Sequence, residues 1–450
     1  MIGLNKIGLN QVQLNRLRLN APFPAYGKMA GGGGSGDGFP QLPGDVTRWH
    51  FGGLTNEMMA AMDDPRIEDA DHKGRFLSFK NFAWKEGSGI SDVYPGALVF
   101  DGVDDYGVCE NFPILTKEKG YTVVALRQWI TYNPNAISAI ATNASDQSFN
   151  GAFTFENYNK GAEQTISYGV TQISLQYSKS PFSWQTTSKY NGVNIANGNK
   201  DATNSLVLGR SYPQRNDFAN FAIWELVFLD HDATEEELTK IKDYFVKTYP
   251  WLFFDQAWTV TGKTNEDEDR ATIANITGNG NDLVCLNLGF IEGSGYNEEG
   301  EYAGYLVTDG VDDKITSSTF EMGNDWTVIG DWELINTGKK DNAGIVKFDS
   351  IVIYNYNSIL INIKNGRNNL IPDQNTVNAI CSDGRIYSKD WKESIYNEET
   401  ESTSKNLLTI GYSGNSYTKI AFKNLAIYPT VLSKEDCIKA YNYLQTLKAK

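Results

Sequence analysis

The chain carries one message twice, and that duplication limits its fold more than any other feature. Leu98-Val99-Phe100-Asp101-Gly102-Val103-Asp104-Asp105 returns in the second half as Leu306-Val307-Thr308-Asp309-Gly310-Val311-Asp312-Asp313. Gly53-Leu54-Thr55-Asn56 pairs with Gly262-Lys263-Thr264-Asn265, and Glu86-Gly87-Ser88-Gly89 with Glu292-Gly293-Ser294-Gly295. Tyr121-Thr122-Val123 matches Trp326-Thr327-Val328. Order-preserving matches over most of two halves mean two copies of one domain, and so long a period excludes a solenoid. The expectation is a tandem array of autonomous modules, residues 45–252 and 253–450, each large enough to bury its own core.

Composition then selects the class of module. Aromatic residues make up 12% of the 450, with 42 Gly and only moderate charge, a balance that suits β-domains better than disorder or helical bundles. The net charge is −15, and the first 44 residues hold Lys6, Arg16, Arg18 and Lys28 against Asp37, so the rest is more acidic still. An acidic body repels phosphate backbones, which argues against nucleic acid as a partner. Cys109, Cys285, Cys381 and Cys437 are scattered without metal spacing and read as small buried thiols. His50, His72 and His231, all in the first copy, leave little material for a histidine metal site or a catalytic triad. No apolar run is long enough to span a membrane, so no membrane insertion is expected. Nor does the N-terminus show the apolar stretch of a signal peptide.

A second, shorter repeat opens the chain. Ile2-Gly3-Leu4-Asn5, Ile7-Gly8-Leu9-Asn10, Val12-Gln13-Leu14-Asn15 and Leu17-Arg18-Leu19-Asn20 recur every five residues, neither the strand period nor the helical one. Residues 1–20 cannot bury their aliphatic side chains alone, so they read as an anchor or oligomerisation segment, or else as a low-complexity tail. Residues 21–44, with a run of Gly31-Gly32-Gly33-Gly34, form a Pro/Gly-rich linker. Copy one then shows short strand patterns at 96–100, 121–132, 153–156, 167–177, 205–209 and 221–229, separated by Asn, Gly, Asp and Ser. The period changes after Thr234-Glu235-Glu236-Glu237, a capping box followed by Leu238, Ile241 and Phe245 at helical spacing. Ser433-Lys434-Glu435-Asp436, with Cys437, Tyr441 and Leu444, repeats that helix in copy two.

These landmarks resemble the laminin-G-like, concanavalin A-like jelly-roll family. Thr277-Gly278-Asn279-Gly280-Asn281-Asp282-Leu283 fits its turn before a strand, and His72-Lys73-Gly74-Arg75-Phe76 is a degraded version. The Phe100-Asp101-Gly102-Val103-Asp104-Asp105-Tyr106 strand, the late Leu206-Val207-Leu208-Gly209 and Leu408-Thr409-Ile410-Gly411 strands, and the capped terminal helices complete it. The resemblance implies an all-β fold of two tandem jelly-roll sandwiches, each ending in one short helix. Gly262-Lys263-Thr264-Asn265-Glu266-Asp267-Glu268-Asp269-Arg270 is narrower, and resembles repeats in virion proteins of Bacteroidales-infecting, crAss-like tailed phages.

Three kinds of chemistry bear on these residues. Glycoside hydrolysis needs paired carboxylates on one strand face. The acid runs at 68–71 and 266–270 instead lie in polar, turn-like surroundings, and Asp331 and Glu333 lack a third acid, so no catalytic residue is assigned. Clustered carboxylates in a turn suit a hard cation, which makes Asp101, Asp104, Asp105, Asp309, Asp312 and Asp313 candidate calcium ligands. The competing reading is that Asp and Gly simply make the turn. No other cofactor is expected. Sugars need aromatic faces beside amides or carboxylates, and Trp184, Tyr190, Tyr212, Trp391 and Tyr396 sit in loops with that mixture. Taken singly, each of these rings is better explained by core or rim packing than by a ligand.

The expected function follows from this layout and the resemblance. It is a virion protein, a head or tail fibre or decoration appendage, assembled in the host cytoplasm. Residues 1–20 would hold it to other virion proteins, and a homo-oligomer, by analogy a trimer, would display two modules to host-surface or mucosal glycans. A purely structural cementing protein is the alternative, and a polysaccharide-degrading enzyme the third reading.

Overall fold

The computed structural model describes residues 37–116, 119–131, 139–144, 154–155, 169–177, 202–210, 216–278, 280–335, 377–395, 406–413 and 416–449. It also gives the backbone of strands Ala343–Phe348, Ile351–Asn355, Ile359–Ile363 and Arg367–Ile371. The five-residue repeat and residues 21–36 of the linker lie outside this set.

The fold class is the one expected, two antiparallel β-sandwiches, each followed by one helix. In copy one the central strand Asn220–Leu229 pairs with Val46–His50, Leu98–Asp101 and Thr122–Trp129, and Gln172–Tyr177 extends the sheet. The facing sheet runs Arg66–Glu68, Phe76–Lys80, Tyr106–Cys109, Ala202–Leu208, Ala141–Ala144, Thr154–Phe155. Copy two repeats the plan around Ile420–Tyr428, which pairs with Gln256–Thr259, Leu306–Val307 and Thr327–Leu334. Its facing sheet has eight strands, because Ile351–Asn355, Ile359–Ile363 and Arg367–Ile371 extend it beyond Ala343–Phe348.

Asn220–Leu229 reads as a nearly continuous apolar run because both of its faces are covered. Phe221, Ile223, Leu226 and Phe228 enter the core between the sheets, with Trp49 and Phe100. Ala222, Trp224, Val227 and Leu229 face the other way, into the layer under helix Glu235–Thr248. A bulge between Ile223 and Glu225 shifts the alternation by one residue. Thr234 caps that helix as the sequence predicts: its hydroxyl accepts from Glu237 N–H, and the Glu237 carboxylate accepts from Thr234 N–H. Ser433 caps Lys434–Leu444 by accepting from Asp436 N–H. All four cysteines are buried and free.

The modules are not autonomous in their packing. The layer beneath helix Glu235–Thr248 is continuous with the one beneath Lys434–Leu444, joining Leu238, Ile241 and Phe245 to Tyr428, Cys437 and Leu444. The connecting turn Pro250–Leu252 lies in this seam with Trp251 and Leu252 buried, and Lys439 Nζ stands 4.3 Å from the Trp251 ring centre. Hydrogen bonds cross it among the described residues. Thr171 N–H donates to the Tyr443 hydroxyl at 2.9 Å, and the Tyr428 hydroxyl donates to the Trp251 carbonyl at 3.1 Å. The sequence pattern misleads here because each helix carries apolar residues beyond the stripe its own sheet needs.

Candidate carbohydrate-binding surface

The residues shared by the two copies build the scaffold. Asn56 grips the backbone N–H and C=O of Ile90, and Asn265 does the same for Tyr296. Ser88 Oγ accepts from Ala83 N–H, and Ser294 Oγ accepts from Gly289 N–H. The Asn81 side chain donates to the Asp104 carbonyl and that of Asn287 to the Asp312 carbonyl, both at 3.0 Å. Gly102 and Gly310 adopt φ of 75° and 77°, and a Cβ there would lie 2.7 Å from Asn220 Cβ or 2.9 Å from Lys419 N. The recurring motifs are therefore explained by turns and strand ends.

The aspartate clusters belong to the same scaffold. One carboxylate oxygen from each of Asp101, Asp104 and Asp105 lies within 4.8 Å of the others, as in Asp309, Asp312 and Asp313. Asp101 Oδ1 accepts from the N–H groups of Val103, Asp104 and Asp105, at 2.8, 3.2 and 3.3 Å. Asp105 Oδ2 accepts from Asp101 N–H, and Ser88 Oγ donates to Asp105 Oδ1. Copy two repeats the Asp309 and Asp313 backbone bonds. Burial pushes the Asp105 carboxyl up to about 7, with Ser88 and the Asp101 N–H pulling the other way, and Asp313 is raised for the same cause. The donors these carboxylates hold are the ones an Asp-led turn needs.

Of the aromatic candidates, Trp184, Tyr190, Tyr212 and Tyr396 lie outside the described residues. Trp391 is half-buried, 5.7 Å edge-on from Tyr441 and 6.2 Å from Tyr387, against the seam between the modules. It is a packing residue on that side. The acid pair is placed singly: Tyr305 donates to Asp331 Oδ1 at 3.0 Å, while Glu333 faces Lys389 at 3.6 Å.

Two constellations escaped the sequence reading. The first is buried and confined to copy one. Glu225, just past the residue Trp224 inserted at the bulge, receives Arg48 Nη1 at 3.3 Å, His50 Nδ1 at 2.5 Å, and the hydroxyls of Tyr244 and Tyr249 at 3.1 and 2.9 Å. Arg48 also pairs with Asp37 and lies 4.4 Å from the Phe39 ring centre, so the end of the linker is clamped onto the module. Strand pairing puts Ala257, Thr259 and Asn424 at the places of Arg48, His50 and Glu225 in copy two.

The second faces outward in both copies. The Arg210 guanidinium lies 3.9 Å from the centre of the Tyr106 ring, with Phe218 at 6.3 Å from that ring. In copy two Lys314 Nζ lies 5.2 Å from the centre of Tyr412, whose ring is tilted 46° to that of Tyr417 at 4.9 Å. The positions correspond. Tyr106 and Lys314 follow Asp105 and Asp313, whereas Arg210 and Tyr412 follow Gly209 and Gly411. Phe218 and Tyr417 precede Ala219 and Thr418, whose N–H groups donate to the carbonyls of Gly209 and Gly411. All six residues are half-buried. The signal was in the repeat alignment, where ring and cation change places.

No family model and no curated protein matches the chain. Among solved structures it is similar to a Trypanosoma rangeli sialidase mutant displaying trans-sialidase activity, with a TM-score of 0.33 and 10% identity over 52% of this chain. The chain spans 42% of that protein's length. Trypanosoma rangeli sialidase in complex with sialic acid gives 0.32 and 9%, covering 84% of this chain and 67% of that one. The binding domain of botulinum neurotoxin serotype D gives 0.30 and 10%, covering 80% and 93%.

Proposed function

We propose that this chain is a glycan-binding virion appendage, a head or tail fibre or decoration protein, and a binder rather than an enzyme. Its two sandwich modules meet host-surface or mucosal glycans, and residues 1–20 attach it to other virion proteins or assemble it into a homo-oligomer, a trimer in the form commonest for fibres. One observation carries the binding part: a cluster of two aromatic rings and one cation stands outward at the same place on both modules. Aromatic faces take the C–H surface of a sugar, and two sites on one chain add avidity to weak contacts. The virion part rests on the Gly262 to Arg270 phrase and on the layout of repeat, linker and modules. A glycan array with the full-length protein tests the binding, and deletion of residues 1–20 tests the anchor. Specific binding, with loss of particle incorporation on deletion, supports the proposal. Silence of the folded protein on the array favours the structural alternative, in which the modules only cement a neighbour. Unchanged incorporation and oligomerisation would remove the anchor.

A further inference from the structure

The two outward clusters differ from the scaffold in how they are repeated. At scaffold positions the same residue stands in both copies: Asp101 and Asp309, Ser88 and Ser294, Asn56 and Asn265. A turn or strand end needs one side chain at one place, so identity persists. In the outward clusters identity is lost at all three positions: Tyr106 against Lys314, Arg210 against Tyr412, Phe218 against Tyr417. What persists is the set, two rings and one cation, with cation and ring exchanged across the same strand pair. A fold constraint on either position would not permit the exchange, whereas a requirement for the combined surface would.

We infer that the clusters Tyr106–Arg210–Phe218 and Lys314–Tyr412–Tyr417 each bind a carboxylated saccharide. The cation takes the sugar carboxylate, and the ring not covered by it takes an apolar sugar face. This rests on the glycan-binding reading and adds the class of sugar. A cation lying on an aromatic face is partly desolvated and held in place, so a carboxylate meets it at lower cost than it would meet a free lysine. Arg210 Nε is shielded from solvent and finds no acceptor among the described residues. The chain as a whole carries −15, so sulfated or phosphorylated polymers with more than one charge per sugar are repelled more strongly than polymers with at most one carboxylate per sugar. Arg210 offers a planar fork that matches a carboxylate with two parallel bonds, whereas Lys314 offers a point charge. Copy one should therefore be the tighter site.

The test uses the full chain against carboxylated polysaccharides (polygalacturonate, alginate, hyaluronate and polysialic acid), each beside a methyl-esterified or neutral counterpart, in affinity electrophoresis. At least one carboxylated polymer should retard the protein while its ester does not, and added salt should weaken the retardation. Arg210→Gln with Lys314→Gln should lower that affinity by about tenfold or more, Arg210→Gln alone doing more of it than Lys314→Gln. Arg210→Lys should recover part of the loss. Thermal melting of each variant establishes that the fold is kept. Equal retardation by acid and ester, or affinity unchanged in the folded double variant, overturns the assignment of sugar class and leaves glycan binding standing. Retardation by none of the polymers, with a silent glycan array, overturns both.

Discussion

The Arg48 guanidinium lies 3.3 Å from the Glu225 carboxylate, and neither side chain reaches solvent. Burying two charges is costly, and the cost is offset only while every partner stays in place. Here Tyr244, Tyr249 and His50 complete the Glu225 shell, while Arg48 reaches Asp37 and Tyr244 through its Nη atoms and leaves Nε without a partner among the described residues. Glu225→Gln should lower stability by about 3 kcal/mol, since it leaves the buried Arg48 charge with only the partly exposed Asp37 as its acid. Arg48→Met combined with Glu225→Leu should cost less than that single change. Chemical denaturation of the three proteins checks the order, and a double variant weaker than the single one contradicts it.

Clamping of the linker depends on the same arginine. Phe39 is buried against Tyr244, their ring centres 5.0 Å apart, and Asp37 closes the contact. Phe39→Ala together with Asp37→Asn should free residues 37–44, raising their amide exchange while leaving the core strand Asn220–Leu229 protected. Unchanged exchange in that segment would show that the clamp holds nothing.

Stability should depend on pH through the aspartate turns. Asp105 has its folded-state value raised to about 7 from an ordinary carboxylate value, so the folded chain binds the extra proton. Its contribution to stability is then greatest below the ordinary value and falls as pH rises through the window from about 4 to about 7. Asp313 acts in the same direction. Asp105→Asn keeps an acceptor for Asp101 N–H and reverses the Ser88 bond, its amide donating to the hydroxyl oxygen, so it should flatten this slope and raise the melting temperature above pH 7. Melting curves from pH 4 to pH 8 decide it.

Calcium should matter little. Three N–H groups already hold Asp101 Oδ1 and Asp309 Oδ1, so the turns are made without a cation. Millimolar calcium is predicted to leave the melting temperature unchanged at neutral pH. A shift of several degrees, reversed by chelator, would make the clusters metal sites.

The seam between modules predicts a single cooperative transition. A continuous apolar layer ties both helices together, so neither module can unfold without exposing the other's core. Tyr443→Phe leaves the buried Thr171 N–H without its partner and should cost about 1–3 kcal/mol. Calorimetry should show one endotherm for both proteins, and two well-separated ones would contradict the shared core.

How much of this was legible follows from the range of each interaction. Strand periodicity and the Thr234 cap are local, and both read directly from neighbouring residues. The duplication exposed the Asn56, Ser88 and Asp101 scaffold because turns tolerate few substitutes, though not whether the acids held a cation or backbone N–H groups. Glu225 was illegible: it meets Arg48 across 177 residues, and a lone acid in an apolar run resembles a solvent-facing position. The seam was hidden because Tyr443 and Trp251 read as ordinary helix and turn residues of one module. Aromatic-rich loops drew attention to Trp391, which packs in the wall, while the Tyr106–Arg210 and Lys314–Tyr412 pairs were visible only as differences between the copies.

The most direct measurement is hydrogen–deuterium exchange of the full chain with and without a polysaccharide it binds. Binding through the outward clusters predicts protection at residues 106–109, 210–218, 314–316 and 412–418, in both modules together. Protection confined to other segments, such as the seam around Trp251, would contradict the assignment of the ligand to these clusters.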